Sequence, residues 1–520
     1  MRRARGIAAT GHPETSAAAA EALAAGGNAF DAVLAGLCAS CVAEPLLASL
    51  GGGGFLLAQP AGGEPVLYDF FVHTPRRRPA SDEDIDFYPI LADFGTARQE
   101  FHIGMASIAV PGVVAGLFAV HDELGRLPIA EVFAPAIRRA RLGVEVNAFQ
   151  LAVTQVLAPI VAAKPEAMGV VATAAHPQRP AREGENVANP YQADLLEALA
   201  REGPELFYRG ELAQQLVRDC EEQGGLLRME DLEGYRVEKR TPVRVASDRF
   251  RLDINPPPSP GGCLIAFAMA LLRGAIGRDT AWGSPEHANA IAGAMQAATA
   301  LRAERVGQVL YSDEDAAAML DEATLARWRD ELRGQPPANH ATTHLSVADA
   351  DGNLASLTVS NGQGCAYVLP GTGVMLNNML GEADLNPGGF HRWPEDRRMA
   401  SMMSPAVLRG PGGATVALGA GGANRIRSAI LQVMVNLVDF GLPLEESVAA
   451  PRLHLEDAQL SAEIGYPEAT VDALRVRWPG LQLWPMENLF FGGVHAVRIA
   501  PDGRLSGAGD PRRGGAVATA

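Results

Sequence analysis

The chain has 520 residues and a mass of 54.7 kDa, room for several domains or one large layered unit. Its composition, 48% hydrophobic and 20% charged, excludes wholesale disorder. The 44 basic residues against 60 acidic ones leave a net charge of −16, the wrong sign for a face that grips phosphate backbones, so no nucleic-acid partner is expected. The N-terminal MRRARGIAATGHPE has no apolar stretch behind it, and the most apolar run, Ala32 to Ala43, is too short to span a bilayer. A cytoplasmic protein without a membrane partner is the expectation, or a periplasmic one if a leader was removed. The five cysteines, Cys38, Cys41, Cys220, Cys263 and Cys365, do not form a disulfide framework.

In chain order, ETSAAAAEALAAGG predicts a helix stopped at Gly26-Gly27, and Asn28 opens a second, very apolar helix through Ala43. Gly51 to Gly54 predict a turn into a buried strand, FLLAQ, with VLYDFF at 66–71 as its partner. The glycine run lacks the Gly-Lys-Ser/Thr of a phosphate loop and reads as a tight turn. Pro111-Gly112 opens another helix, closed by Gly125, and 129–153 reads as helical again. Residues 164–192 read as a loop. ELAQQLVRDCEEQGG is an amphipathic helix, and MEDLEGY leads into one extended segment, VRVASDRFRLDIN. PPPSPGG is a rigid loop into an apolar helix over 263–274, and 284–333 is mostly helical.

The character changes near residue 340. HLSVADADGNLASLTVS predicts two strands around Asp351-Gly352. VMLNN, TVALGAGG and GGVHAVRIAPDGRLSGAG add strands, and RSAILQVMVNLVDFG is a helix. Sheets between helix layers are the predicted architecture. Cys38 and Cys41 make a CxxC inside an apolar helix, which reads as small buried hydrophobes. The eleven histidines show no ligand spacing, and neither metal nor cofactor is expected.

The sharpest local feature is Thr342-Thr343-His344 at the abrupt start of a strand. Propensity alone reads it as an edge strand. A chain cut before Thr342 would place a hydroxyl and a free α-amino group on one residue. Such an amine titrates near pH ~8 and serves as a base for its own hydroxyl. Gly419-Ala420-Gly421-Gly422 lies between a strand and a helix, where backbone N–H groups face developing negative charge or merely turn the chain.

Together with GGNAFDAVLAGL, GGGGFLL, VPGVVAGLFAVHDELGRLP, GGLLRMEDLEGYR, PPPSPGG, PGTGVMLNN, SMMSP and GAGGANRIRSAILQVMVN, these residues resemble the γ-glutamyltransferase family of N-terminal-nucleophile hydrolases. The resemblance implies an α+β fold, a four-layer αββα sandwich. It also implies self-cleavage between Ala341 and Thr342, giving a heterodimer of a large fragment, 1–341, and a small one, 342–520. Thr342 is then the nucleophile that takes a γ-glutamyl group from a donor such as glutathione and passes it to water or to an amino-acid or peptide amine. Gly421 and Gly422 match the oxyanion pair. Ser360 and Asn361 resemble a Thr-x-Asn pair, set one residue closer. Glu382 falls at the acidic residue for the substrate α-ammonium. Ser401 matches one of two serines for the α-carboxylate, with Met402 at the other.

The chain departs from the pattern at Asp69-Phe70-Phe71, where the family has Asp-Phe-Arg. An arginine fork clamps a carboxylate and Phe71 does not; Arg76, Arg77 and Arg78 are the nearby substitutes. The short segment between Glu382 and Ser401 implies no family lid. These departures raise an alternative within the superfamily, an acylase or amidase of the glutaryl or cephalosporin acylase kind. A non-catalytic relative is the third reading, and the intact Thr342 and Gly421-Gly422 speak against it.

Overall fold

A computed structural model describes residues 4–80, 83–93, 98–277, 279–304, 312–331, 342–456 and 459–520. Its centre is two antiparallel sheets packed face to face. The first has seven strands in the order 516–519, 6–10, 343–349, 354–360, 53–59, 66–70 and 238–240. The second has six, in the order 505–508, 493–499, 415–421, 406–409, 251–254 and 243–246. Strand 343–349 packs across the gap against strands 415–421 and 493–499.

Helices close both outer faces. Pro13–Ala24 and Ala29–Ala43 lie over the first sheet, and Pro260–Leu271 and Arg425–Val438 over the second. This is the expected αββα sandwich. Helix Ala29–Ala43 is buried along its whole length, and Asn28 and Asp31 form a capping box at its start. An all-round apolar helix fits only where sheet and neighbouring helices enclose it. Among the described residues no helix is long and apolar enough to cross a membrane.

The Asp351-Gly352 hairpin forms as predicted, with Gly352 at φ +99° and Thr343 paired with Val359. Elsewhere boundaries shift. The stretch 129–153 is not one helix: Gly143, at φ +87°, ends Ile129–Leu142 before Ala148–Val156 begins. VRVASDRFRLDIN is two strands, Val243–Ala246 and Arg251–Ile254, paired antiparallel. The apolar helix starts at Pro260 rather than 263. Strands Gly6–Thr10 and Ala516–Thr519 have no counterpart in the sequence reading. Cys38 and Cys41 are buried free thiols, and burial pushes both thiol pKa values upward.

Candidate active site

Thr342 lies at the head of strand Thr343–Asp349 and is 4% exposed; Ala341, the other side of the expected cleavage point, lies outside the described residues. Side chains alternate along the strand. Thr343 and Leu345 face the helix layer, whereas His344 and Ser346 face the second sheet. Thr343 Oγ donates to Glu44 Oε2 at 2.9 Å, and Thr15 Oγ donates to Glu44 Oε1 at 3.2 Å. Glu44 caps the end of helix Ala29–Ala43. Burial pushes its carboxyl up to about 7, partly offset by those two hydroxyls.

His344 bonds Thr358 Oγ through Nδ1 at 2.8 Å and Ser346 Oγ through Nε2 at 2.9 Å. Burial drives its pKa well below the ordinary value, so the ring is neutral. A Cβ on Gly419 would come within 2.3 Å of that ring, so the first glycine of the turn makes room for His344.

Gly421 does the same for the nucleophile candidate. A Cβ on Gly421 would lie 2.0 Å from the Thr342 carbonyl oxygen, and Gly422 sits at φ +128° against Gly492. Both glycines precede helix Arg425–Val438, whose first two N–H groups, Arg425 and Ile426, donate back to the Gly422 and Ala423 carbonyls at 3.1 and 3.0 Å, and they lie at the positive end of its dipole. The turn is tied down by Asn424: its Nδ2 donates to Asp384 Oδ2 at 3.2 Å and Glu456 Oε1 at 2.9 Å.

Asp384 belongs to the same turn as Glu382. A Cβ on Gly362 would lie 2.3 Å from Glu382 Oε1, which places that carboxyl over the turn made by Ser360 and Asn361. Ser360 Oγ accepts the Gly362 N–H at 3.0 Å, and Asn361 Nδ2 donates to the Met375 carbonyl at 3.3 Å. Burial, with Asp384 nearby, raises the Glu382 pKa well above the usual carboxyl range. Ser401 and Met402 sit at the start of helix Pro260–Leu271: Ser401 N–H donates to Ser259 Oγ at 3.2 Å, and Gly261 makes room for the Met402 carbonyl.

Phe71 is 1% exposed and stacks on Phe55, ring centroids 5.2 Å apart. It is part of the apolar core that also holds Met402 and Met403. Arg76, Arg77 and Arg78 do not replace the missing cation: they pair with Asp396, Glu83 and Glu395 respectively. A different arginine lies nearby. Arg398 is 4% exposed, 3.3 Å from Asp69, over the Tyr235 ring, and bonded to the Phe71 and Arg236 carbonyls. It is consumed by that network.

Sequence reasoning missed Glu44, Asn424 with Asp384, and Arg513, whose Nη1 donates to the Thr342 carbonyl at 3.3 Å. A charged residue ending a wholly apolar helix was the available signal for Glu44. Arg513 carried none.

The γ-glutamyltranspeptidase family model matches residues 15–520. The chain belongs to that family. Among its relatives, the acylase ACY 1 proenzyme of Pseudomonas sp. (strain V22) is 33% identical, over 97% of this chain and 91% of that protein. The glutathione hydrolase proenzyme of Escherichia coli (strain K12) is 29% identical, over 98% of this chain and 91% of that protein. The crystal structure of cephalosporin acylase from Bacillus halodurans aligns with a TM-score of 0.83 at 26% identity, covering 99% of this chain and 96% of that one. The protein is therefore an enzyme of the N-terminal-nucleophile type to which γ-glutamyltranspeptidases and these acylases belong.

Proposed function

We propose that the chain cuts itself before Thr342 and then acts as an amide hydrolase or acyltransferase. Its acyl group would have glutamyl length and would not depend on a carboxylate clamp. The observation that carries this reading is Phe71, stacked into the core where the family pattern has an arginine, with Arg76, Arg77, Arg78 and Arg398 each already paired.

Thr342 Oγ attacks the acyl carbonyl while the α-amino group of Thr342 takes the hydroxyl proton. The N–H groups at Gly421 and Gly422 receive the oxyanion. The intermediate collapses as the leaving amine takes the proton, and water or an acceptor amine opens the threonyl ester. Ser360 and Asn361 shape the donor side, and Ser401 and Met402 line its far end.

A second reading keeps γ-glutamyl donors, including glutathione, as substrates. It is favoured by Glu382, whose buried carboxyl over Gly362 would ionise against a substrate ammonium.

Cleavage is tested first. The purified chain should give fragments of roughly 36 and 19 kDa, with the smaller beginning Thr-Thr-His, and Thr342→Ala should stay whole. Four 4-nitroanilides then separate the anchors. The γ-glutamyl compound carries ammonium and carboxylate, glutaryl only the carboxylate, 4-aminobutyryl only the ammonium, and butyryl neither. Donors without the carboxylate should match or exceed their carboxylated partners in kcat/KM. A tenfold or larger preference for the carboxylated member of each pair would overturn the first reading in favour of a clamp elsewhere.

A further inference from the structure

Three glycines enclose one side chain beside Thr342. A Cβ on Gly493 would lie 2.7 Å from Arg513 Cβ, one on Gly422 3.2 Å from Arg513 Nη2, and one on Gly421 3.4 Å from Nη1. Arg513 is 7% exposed. Its guanidinium reaches the Thr342 carbonyl through Nη1 and the Leu489 carbonyl through Nη2, both at 3.3 Å. Two neutral carbonyls are poor compensation for burying a cation. Burial together with Arg425 lowers its pKa to about 10, which still leaves it charged at neutral pH.

The Thr342 nitrogen is two bonds from that carbonyl carbon. Nη1 therefore lies no more than roughly 7 Å from it, whatever the backbone torsion. Other charges around this corner do not cancel the guanidinium. Asp510 already accepts from Arg452 and Arg512. His495 is neutral, held near 4 by burial, with Nδ1 accepting the Asp510 N–H. Arg425 and Arg452 add like charge. His344 is turned to Thr358 and Ser346, and burial, with Asp384 nearby, holds the Glu382 pKa well above the usual carboxyl range. Glu44 is the opposing carboxyl, and burial leaves it only partly ionised at neutral pH.

We infer that Arg513 is a positioning residue that fixes the Thr342 backbone and, through its buried charge, holds the Thr342 α-amino group as free base at neutral pH. This rests on Thr342 being the amino-terminal nucleophile. A neighbouring cation disfavours the ammonium form, so the guanidinium readies the amine to take the hydroxyl proton. The glycines at 421 and 422 thus serve twice, presenting N–H groups and admitting the guanidinium.

The test is the amine's own titration in self-cleaved enzyme, read two ways: the acid limb of kcat/KM on the fastest of the four anilides, and the pH dependence of cyanate carbamoylation of the small fragment's N-terminus. Arg513→Gln should raise the amine's pKa by roughly one to two units. Arg513→Lys should keep it near wild type, and Glu44→Gln should lower it. A cleaved Arg513→Gln enzyme that loses activity with an unmoved titration would show a purely structural role and overturn the proposal. If Arg513→Gln stays uncut, Glu44→Gln decides, and an unmoved titration there also overturns it. A wild-type small fragment that does not begin at Thr342 refutes the nucleophile reading instead, separately from any result on Arg513.

Discussion

Phe71 sits between two buried networks, the Phe55 stack on its ring and Arg398 on its carbonyl. Restoring arginine there is therefore not a simple gain of a clamp. Phe71→Arg would bury a second guanidinium beside Arg398, with Asp69 already shared between Arg240 at 2.8 Å and Arg398 at 3.3 Å. A buried unpaired charge commonly destabilises by about 3–5 kcal/mol, so the variant should lose many degrees in Tm and gain no preference for γ-glutamyl anilide. A stable variant with that preference would show that the ring swings out of the core. Glu44 supports a second prediction at this scale. Its carboxyl titrates near 7 in the fold and near ~4.3 in an unfolded chain. Between those values the unfolded state releases its proton first, so stability falls as pH rises through that window and levels off above it. The difference is worth about 4 kcal/mol for a buried group. Glu44→Gln removes the titration, so its Tm relative to wild type should climb between pH 4 and pH 8, a change that thermal melts across that range would detect. Thr342, Gly421 and Gly422 stand out as candidates in the sequence because motif and turn chemistry are local. Glu44 and Arg513 do not, because what makes them matter is which strands and glycines fold around them.

Among the elements, the hairpin at Asp351-Gly352 was readable from its own residues, since a turn needing positive φ announces itself by glycine. The hairpin between Val243–Ala246 and Arg251–Ile254 was not. Its turn is built by Ser247, whose Oγ accepts the Arg249 and Phe250 N–H groups at 3.1 and 3.2 Å, and no glycine marks it. Strand Gly6–Thr10 is five small or aliphatic residues paired with Thr343–Asp349 and Ala516–Thr519, partners that no local pattern reveals. One residue joins the two kinds of information. Asp349 Oδ1 accepts the Asp351 and Asn353 N–H groups at 3.0 Å, shaping the turn. Its Oδ2 accepts the Ala29 N–H at 2.9 Å, at the start of the buried helix Ala29–Ala43. Asp349→Ala should therefore remove about 3 kcal/mol or more, since it strands a buried N–H as well as loosening the turn. Urea unfolding should show the loss as a lower midpoint with an unchanged slope, while kcat of the folded, cleaved enzyme stays within twofold of wild type. A kcat loss matching the stability loss would mean that this end of the strand communicates with Thr342 at the other.

At the scale of the whole molecule, a cut at residue 341 divides neither sheet. In the first, strand 6–10 lies between 516–519 and 343–349, and 53–59 pairs with 354–360. In the second, 251–254 pairs with 406–409. Each seam joins residues from before the cut to residues from after it by a ladder of backbone hydrogen bonds. The apolar core also mixes both sides, with Phe55, Phe71 and Leu252 in one cluster with Leu418, Ile430 and Val494. Separating the fragments would expose those ladders and that apolar surface together, the same surface that unfolding exposes. A chain cut before Thr342 should therefore elute as one species in molar salt, which screens charge pairs but not burial. It should unfold in urea through a single transition reported alike by circular dichroism and by tryptophan fluorescence, and the fragments should part only across that transition. Fragments that separate in salt without denaturant, or two probes that report different midpoints, would mean that one side of the cut holds a core of its own, which the interleaved strand order forbids.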